Sequence, residues 1–126
     1  MKITHIGVYV TDLEKSKNYY TKYFKGVSNE KYSNAEGFSS YFLTFEDGAS
    51  LEIMHHKDLE TFPVIDKSTG WSHLAFSVES RENVVALTAK IVADGYILYS
   101  PLRETGDGYF ESCVADPDGN RVEITI

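Results

Sequence analysis

The chain of 126 residues carries a formal net charge of −7, with 42% apolar and 13% aromatic residues. This length allows one compact domain or two small modules, and the composition is that of a folded protein rather than a disordered one. The acidic balance argues against nucleic acid, and the single cysteine excludes an internal disulfide framework and favours a reducing compartment. Since neither a signal-peptide core nor an apolar run of about 20 residues occurs, we expect a cytoplasmic protein that does not bind membranes.

The first half of the sequence predicts one strand, one helix and three further strands. They are expected over residues 3–10, about 12–25, 27–34, 38–45 and 49–55. Thr11 and Glu14 have the spacing of a capping box at the start of the helix, and Gly26 is suited to end it. Asp47-Gly48 is a strong hairpin signal between the last two strands. The order is therefore βαβββ, in which the strand over 27–34 is the weakest.

After a loop that extends to Gly70, the second half repeats the same order of elements. They are expected over residues 71–78, 80–94, 96–103, 109–115 and 120–126. Gly95 ends the helix, and Asp116-Pro117-Asp118-Gly119 forms the turn between the last two strands. The sequence thus predicts an α+β fold of two tandem βαβββ modules within a single domain, 1–126. The modules are residues 1–56 and 71–126, joined by a linker over 57–70.

The two halves also repeat a histidine and a glutamate at matching places. His5 recurs as His73, 68 residues later, and Glu52 recurs as Glu123, 71 residues later, each within a similar local sequence. The small difference between the two offsets is what loop insertions between duplicated modules produce. Because side chains alternate across a strand, all four residues belong to faces opposite to the aliphatic residues, which should pack against the helices.

Two imidazoles and two carboxylates are a plausible ligand set for one divalent metal ion, namely Ni²⁺, Co²⁺, Zn²⁺ or Mn²⁺. A single His or Glu on the open face of a sheet is more often only solvated. The occurrence of His5, Glu52, His73 and Glu123 at duplicated positions, among neighbours that differ between the two copies, favours a metal site.

With the paired βαβββ pattern, the four His and Glu residues and the C-terminal segment 116–123 assembled, the chain resembles the vicinal-oxygen-chelate superfamily. Within it the resemblance is to the glyoxalase I (lactoylglutathione lyase) type and covers essentially the whole chain. It implies that each module curls into a half-barrel with its first and fourth strands side by side. His5 would then lie next to Glu52, and His73 next to Glu123. A carboxylate at position 52 favours the isomerase branch, because members with three protein ligands do not use that position.

The same resemblance implies a metal-dependent isomerase or lyase that acts on a small α-oxo or thiol-adduct substrate. Its reaction would be a proton transfer next to a carbonyl, through an enediolate that the metal ion stabilises. Glu123 would serve as the catalytic base, with Glu52 as its partner. The resemblance also implies a homodimer in which each site takes one module from each subunit.

Two positions depart from the glutathione-using members. Tyr9 and His56 stand where those members commonly have an arginine and an asparagine. Loss of a bidentate carboxylate clamp argues against glutathione hemithioacetal as the substrate. Two alternatives stay open: a three-ligand thiol transferase or dioxygenase, and a metal-free binding or resistance protein for antibiotic-like small molecules. In the latter, Tyr9, Trp71 and Phe110 would matter more than the glutamates.

A few other residues are weaker candidates. His55 and His56, predicted to follow the fourth strand, could extend the site, and Arg103 and Arg121 could clamp an anionic substrate. Surface solvation is the simpler explanation for all four. Cys113 is predicted to be an inert buried thiol, since no His or Lys is adjacent to it in the sequence.

Overall fold

Each half of the chain forms a sheet with one helix packed against it. The computed structural model describes all residues, 1–126, and groups them into a first unit, Met1–Phe62, and a second unit, Pro63–Ile126. The elements are β1 (His5–Tyr9), α1 (Leu13–Phe24), β2 (Val27–Ser28), β3 (Tyr32–Ser33), β4 (Phe38–Thr44), β5 (Ser50–His56), β6 (Leu74–Ser77), α2 (Arg81–Ala93), β7 (Leu98–Glu104), β8 (Phe110–Ala115) and β9 (Arg121–Thr125). This order confirms the predicted α+β pattern of two βαβββ modules. The single-domain organisation stays a prediction. Neither helix is long and apolar enough to cross a membrane.

In the first unit the sheet order is β1-β5-β4-β2, and β3 also pairs with β4. The first strand runs parallel to β5, while the other pairs are antiparallel. The strand predicted over 27–34 is interrupted, so that two short strands pair with β4 in its place. Asn29 explains the break, because its side-chain oxygen accepts a hydrogen bond from the Phe42 backbone N–H at 2.8 Å. A side chain there takes the place of a backbone acceptor.

In the second unit the sheet order is β6-β9-β8-β7, and β6 runs parallel to β9. The strand predicted to start at Trp71 starts only at Leu74, which pairs with Val122. In this register the partner of Trp71 would be Gly119, which belongs to the turn before β9 and cannot continue the ladder. Trp71 is instead 94% exposed.

The helix ends differ from prediction at one of the two helices. The first helix is capped by Asp12, whose carboxylate accepts the Lys15 N–H at 2.9 Å, so the predicted cap at Thr11 is wrong. A carboxylate at the N-cap also suits the positive end of the helix dipole. Its last turn ends at Lys25, which has a φ of 57°. The second helix begins after Ser80, which accepts the Asn83 N–H, and Gly95 follows with a φ of 94°.

The aliphatic faces of the central strands form the core, as predicted. Leu51 and Ile53 in β5, and Val122 and Ile124 in β9, are almost fully buried beneath the helices. Ile126, predicted to belong to the last strand, lies beyond it and is exposed. Because alternate residues point to opposite sides of a sheet, the glutamates of β5 and β9 lie on the faces away from the helices.

Candidate functional site

The first His–Glu pair lies where β1 and β5 run side by side. Glu52 is opposite Gly7 in the parallel register, and His5 is two residues before Gly7 on the same face. His5 Nε2 is 3.9 Å from Glu52 Oε2, and the side chains are 47% and 17% exposed respectively. The imidazole also makes an edge-on contact with the Phe42 ring, with 5.4 Å between centroids. The carboxylate is thus largely withdrawn from water while the imidazole faces solvent.

The second pair repeats this arrangement in the other unit. Glu123 is opposite Ala75 in the parallel pairing of β6 with β9, and His73 is again two residues earlier. His73 Nε2 is 3.6 Å from Glu123 Oε2, and the side chains are 42% and 18% exposed. The duplication has therefore preserved the geometry of the pair as well as the residue types.

Each imidazole has a hydroxyl neighbour on its other ring nitrogen. Thr4 Oγ1 is 3.3 Å from His5 Nδ1, and Ser72 Oγ is 3.2 Å from His73 Nδ1. Metal-binding histidines usually donate the second ring N–H to such an outer group, which fixes the tautomer and leaves Nε2 for the ion. Neither hydroxyl was predicted to have a role. The signal for it is nevertheless in the sequence, since a hydroxyl residue precedes both repeated histidines.

The donor atoms of each pair lie at a distance comparable with that between two ligands of one metal ion. Ligands about 2.1 Å from an ion lie about 3.0 Å apart at adjacent octahedral positions and about 4.2 Å apart at opposite ones. The separations of 3.9 Å and 3.6 Å lie between these two values, so a small rotation of the side chains brings each pair to adjacent positions on one ion. In neither unit does a third His, Cys, Asp or Glu join the pair to form a larger group. Each pair therefore fits one half of a coordination sphere.

The surroundings of the two glutamates differ. Glu52 is opposite the Phe42 ring of β4, whereas Glu123 is close to charged residues. Burial raises the pKa of the Glu123 carboxyl above its ordinary value, and the positive charge of His73 opposes this rise. The charge of Glu111 and a side-chain hydrogen bond with it raise the pKa of Glu123 further. The protonated form of Glu123 is thereby favoured relative to that of an ordinary glutamate.

Glu111 is a buried carboxylate held by an arginine. It is 6% exposed, and its Oε1 accepts hydrogen bonds from Arg103 Nη2 at 2.7 Å and from Arg103 Nε at 3.1 Å. The same contact raises the pKa of the Arg103 guanidinium. The guanidinium of Arg103, a candidate clamp for an anionic substrate, is instead engaged by Glu111. The involvement of Glu111 was not predicted.

The weaker candidates are partly accounted for by other contacts. His55 and His56 are the last two residues of β5, which ends one residue later than the strand predicted over 49–55. His55 Nδ1 is 3.0 Å from the Val10 carbonyl oxygen, to which it can donate, and His56 Nδ1 accepts the Asp58 N–H. Both rings are therefore tied to the backbone.

Arg121 and Cys113 lie on β9 and β8 of the second unit. Arg121 donates to Asp66 at 3.0 Å and stacks over the Tyr99 ring, with 4.4 Å to its centroid. The Cys113 thiol is half-buried, and burial raises its pKa. A thiol with a raised pKa is a poor nucleophile, which agrees with the predicted inert role.

The aromatic candidates have different environments. Tyr9 and Trp71 are exposed, whereas Phe110 is buried and covered by the Arg81 guanidinium, 3.9 Å from its ring centroid. In the second unit a cavity of about 300 Å³ is bordered by residues 63–68 together with Trp71 and Ser72. Because Ser72 is the hydroxyl neighbour of His73, this cavity adjoins the second His–Glu pair.

Comparison with known proteins places the chain in a family. The profile of the Glyoxalase/Bleomycin resistance protein/Dioxygenase superfamily matches residues 2–124. The chain is 32% identical to Uncharacterized protein YqjT of Bacillus subtilis (strain 168), over 95% of this chain and 94% of the relative. It is 30% identical to the Probable trivalent organoarsenical cleaving enzyme of the same organism, over 98% of this chain and 79% of the relative.

Solved structures share the fold. A glyoxylase/bleomycin resistance protein/dioxygenase domain from Frankia sp. EAN1pec superposes with a TM-score of 0.85 at 21% identity, over 100% of this chain and 97% of that one. The trypanothione-dependent glyoxalase I of Leishmania major gives 0.76 at 21% identity, over 98% and 85%. Glyoxalase I from Zea mays gives 0.80 at 22% identity over 98% of this chain, which spans only 44% of the maize protein. With both βαβββ modules present and the profile matching from residue 2 to 124, the chain belongs to the Glyoxalase/Bleomycin resistance protein/Dioxygenase superfamily, as its resemblance predicted.

Proposed function

We propose that the protein is a metal-dependent isomerase or lyase of the glyoxalase I type, which transfers a proton between adjacent carbons of a small α-oxo or thiol-adduct substrate. The observation that carries this proposal is the duplicated His–Glu pair. His5 with Glu52, and His73 with Glu123, have the same register and similar donor separations of 3.9 Å and 3.6 Å. Each pair holds a carboxylate that is largely withdrawn from water, which is unfavourable without a partner. Its presence in both units therefore favours a shared role.

His5, Glu52, His73 and Glu123 would hold the ion through two imidazole nitrogens and two carboxylate oxygens. This donor set suits Ni²⁺, Co²⁺, Zn²⁺ or Mn²⁺. When bound, the ion supplies Lewis-acid stabilisation of the negative charge that develops on substrate oxygens. Each unit offers two donors and no third, which suits a site assembled from two modules. We expect a homodimer with its sites at the interface, each site combining one module from each subunit.

Glu123 is the residue best suited to move the proton. In the metal-free protein burial raises the pKa of Glu123, so its carboxylate accepts a proton more readily than an ordinary glutamate does. His73, which is 42% exposed, lies beside it with 3.6 Å between His73 Nε2 and Glu123 Oε2. Glu52, withdrawn from water next to Phe42, would act as its partner on the other half-site.

The thiol that forms the substrate is expected to differ from glutathione. Tyr9 is exposed and carries no positive charge, so it cannot pair with a glutathione carboxylate as an arginine would. His56 is engaged by the Asp58 backbone. An assay that combines methylglyoxal with glutathione and with several other thiols tests this expectation directly.

The relative named Probable trivalent organoarsenical cleaving enzyme suggests a second candidate function for this chain. Its similarity extends over 98% of this chain at 30% identity. Soft centres such as trivalent arsenic favour thiolate ligands, and this chain has one cysteine, Cys113, whose pKa burial raises. A single half-buried thiol is a weak arsenic site, so the isomerase remains the leading proposal. Release of inorganic arsenic from a trivalent organoarsenical would favour the second candidate.

The proposal is tested by metal analysis followed by the isomerase assay. We expect the purified protein, after reconstitution, to retain one divalent ion for each pair of His–Glu half-sites and to turn over a methylglyoxal–thiol adduct only with that ion bound. Failure to bind any divalent metal would count against the proposal, and so would metal-loaded protein that turns over none of these adducts.

A further inference from the structure

A row of polar side chains crosses the sheet of the second unit and ends at the candidate base. Arg103 of β7 is opposite Glu111 of β8, and Glu111 is opposite Thr125 of β9, two residues from Glu123. Residues related in this diagonal way share a face and are within reach of each other when their side chains are long. Beyond Glu123 the row continues to His73, 3.6 Å away.

The middle member of this row is held in one orientation. Glu111 is almost fully buried, and both hydrogen bonds from Arg103 end on the same oxygen, Oε1. An arginine fork that donates two bonds adds geometric specificity to a charged contact. Oε2 therefore remains for other partners, and Glu123 lies diagonally across the β8–β9 pair on the same face of the sheet. Arg103 thus contacts the candidate base through one fixed intermediate.

The first unit has no such row. In the pairing of its strands, Ser40 occupies the place on β4 that Glu111 has on β8, and Tyr32, opposite Ser40, occupies the place of Arg103. Ser40 is buried, and Tyr32 is exposed. The duplication therefore preserved the His–Glu pair in both units, while the arginine and the buried glutamate stand beside only one of the two glutamates.

We propose that Arg103, acting through Glu111, is a positioning residue for Glu123. By fixing the Glu111 carboxylate, it restricts the orientations that Glu123 can take and keeps its carboxylate beside His73. This inference rests on the proposed function, because the orientation of Glu123 matters most if that residue binds the ion. It also distinguishes the two glutamates: Arg103 and Glu111 stand beside Glu123, whereas Tyr32 and Ser40 occupy the corresponding places near Glu52.

The test compares R103Q and R103K with a matched control, R81Q. Arg81 forms an ion pair with Glu104 and covers the Phe110 ring in the same unit, so R81Q removes an arginine that contacts these two residues rather than Glu111 or Glu123. We expect R103Q to weaken Co²⁺ binding, measured by titration, about 10–100-fold, as changes in groups that orient a ligand do. R81Q should stay within about twofold of the wild type, as exposed ion pairs contribute little.

Two further readouts separate positioning from a general effect on the fold. The absorption bands of bound Co²⁺ should change shape in R103Q, because a reoriented carboxylate alters the ligand field. R103K, which keeps the charge but not the fork, should recover part of the affinity. Wild-type affinity and an unchanged spectrum in folded R103Q and R103K would overturn the inference. If R103Q does not fold, R103K alone decides by the same criteria.

Failure of the proposed function would be distinguishable from failure of this inference. If the wild type binds no Co²⁺, the proposed function fails, and crystal structures of the metal-free wild type and R103K decide the positioning role. An unchanged Glu123 side-chain conformation in R103K would then overturn the inference. A changed rotamer would support it.

Discussion

Replacing each glutamate of the two pairs separately by glutamine distinguishes the functions that this fold allows. E52Q and E123Q keep the shape of the side chain and remove its charge. An isomerase that uses both glutamates should lose metal affinity and turnover in both variants. A three-ligand enzyme should tolerate E52Q and fail with E123Q. A metal-free binding protein should keep its ligand affinity in both.

The expected size of the effect follows from the burial of the two side chains. Glu52 and Glu123 are only 17% and 18% exposed, so water can replace a lost carboxylate oxygen poorly. Attraction between a carboxylate and a divalent ion is on the order of 10 kcal/mol at an effective dielectric constant of 20, and desolvation offsets most of it. Changes in groups that only orient a metal ligand already cost about 10–100-fold in metal affinity. Loss of a direct ligand should therefore cost at least about 100-fold in metal affinity, or about 2.7 kcal/mol.

The assay is titration with Co²⁺ or Zn²⁺, followed by turnover of a methylglyoxal–thiol adduct at saturating metal. R81Q serves again as the control, since Arg81 pairs with Glu104 rather than with a candidate ligand. Metal affinity within about threefold of the wild type in E123Q would refute the assignment of Glu123 as a ligand, because that change is below about 1 kcal/mol.

Three further results are expected. Burial raises the pKa of Glu123 above 4.5 in the folded state, so the stabilising effect of its bound proton is lost as the pH rises from about 4.5 through the raised pKa. Urea unfolding of the metal-free protein should show this loss of stability in the wild type and not in E123Q. Equal pH profiles of the two proteins would contradict it. Y41F removes the hydroxyl that donates to Glu14 at 2.7 Å and accepts from Lys17 at 3.3 Å. It should therefore lower the free energy of unfolding by about 1 kcal/mol. An unchanged urea midpoint would show that these hydrogen bonds contribute nothing to stability. I124A should cost about 2–5 kcal/mol in thermal unfolding, because Ile124 is fully buried in β9; a cost below about 1 kcal/mol would mean that the core relaxes around the cavity.

Much of the fold could be predicted because the two halves repeat the same order of elements, and because alternating apolar residues indicate which face of each strand is buried. The pairing of Glu52 with β1 and of Glu123 with β6 agrees with the family resemblance, which implies that the first and fourth strands of a module lie side by side. The residue that caps the first helix was harder to predict. Thr11 and Asp12 are both good capping residues, and the carboxylate of Asp12 is the one that accepts the helix N–H.

The charged neighbours of Glu123 could not be predicted by comparing the two halves. Arg103 and Glu111 are opposite each other only because β7 and β8 pair with irregular register, and this register depends on bulges that the sequence does not reveal. The first unit has Tyr32 and Ser40 in the corresponding places, so the repeat carries no signal for the contact.

The central claim is that both His–Glu pairs bind a single ion. Anomalous diffraction from crystals loaded with Co²⁺ tests it most directly. We predict one ion at each site, about 2.1 Å from Nε2 of His5 and His73 and from a carboxylate oxygen of Glu52 and Glu123, with the two pairs drawn from one subunit or from two. Cobalt bound to other residues, or to one pair without the second, would contradict the account.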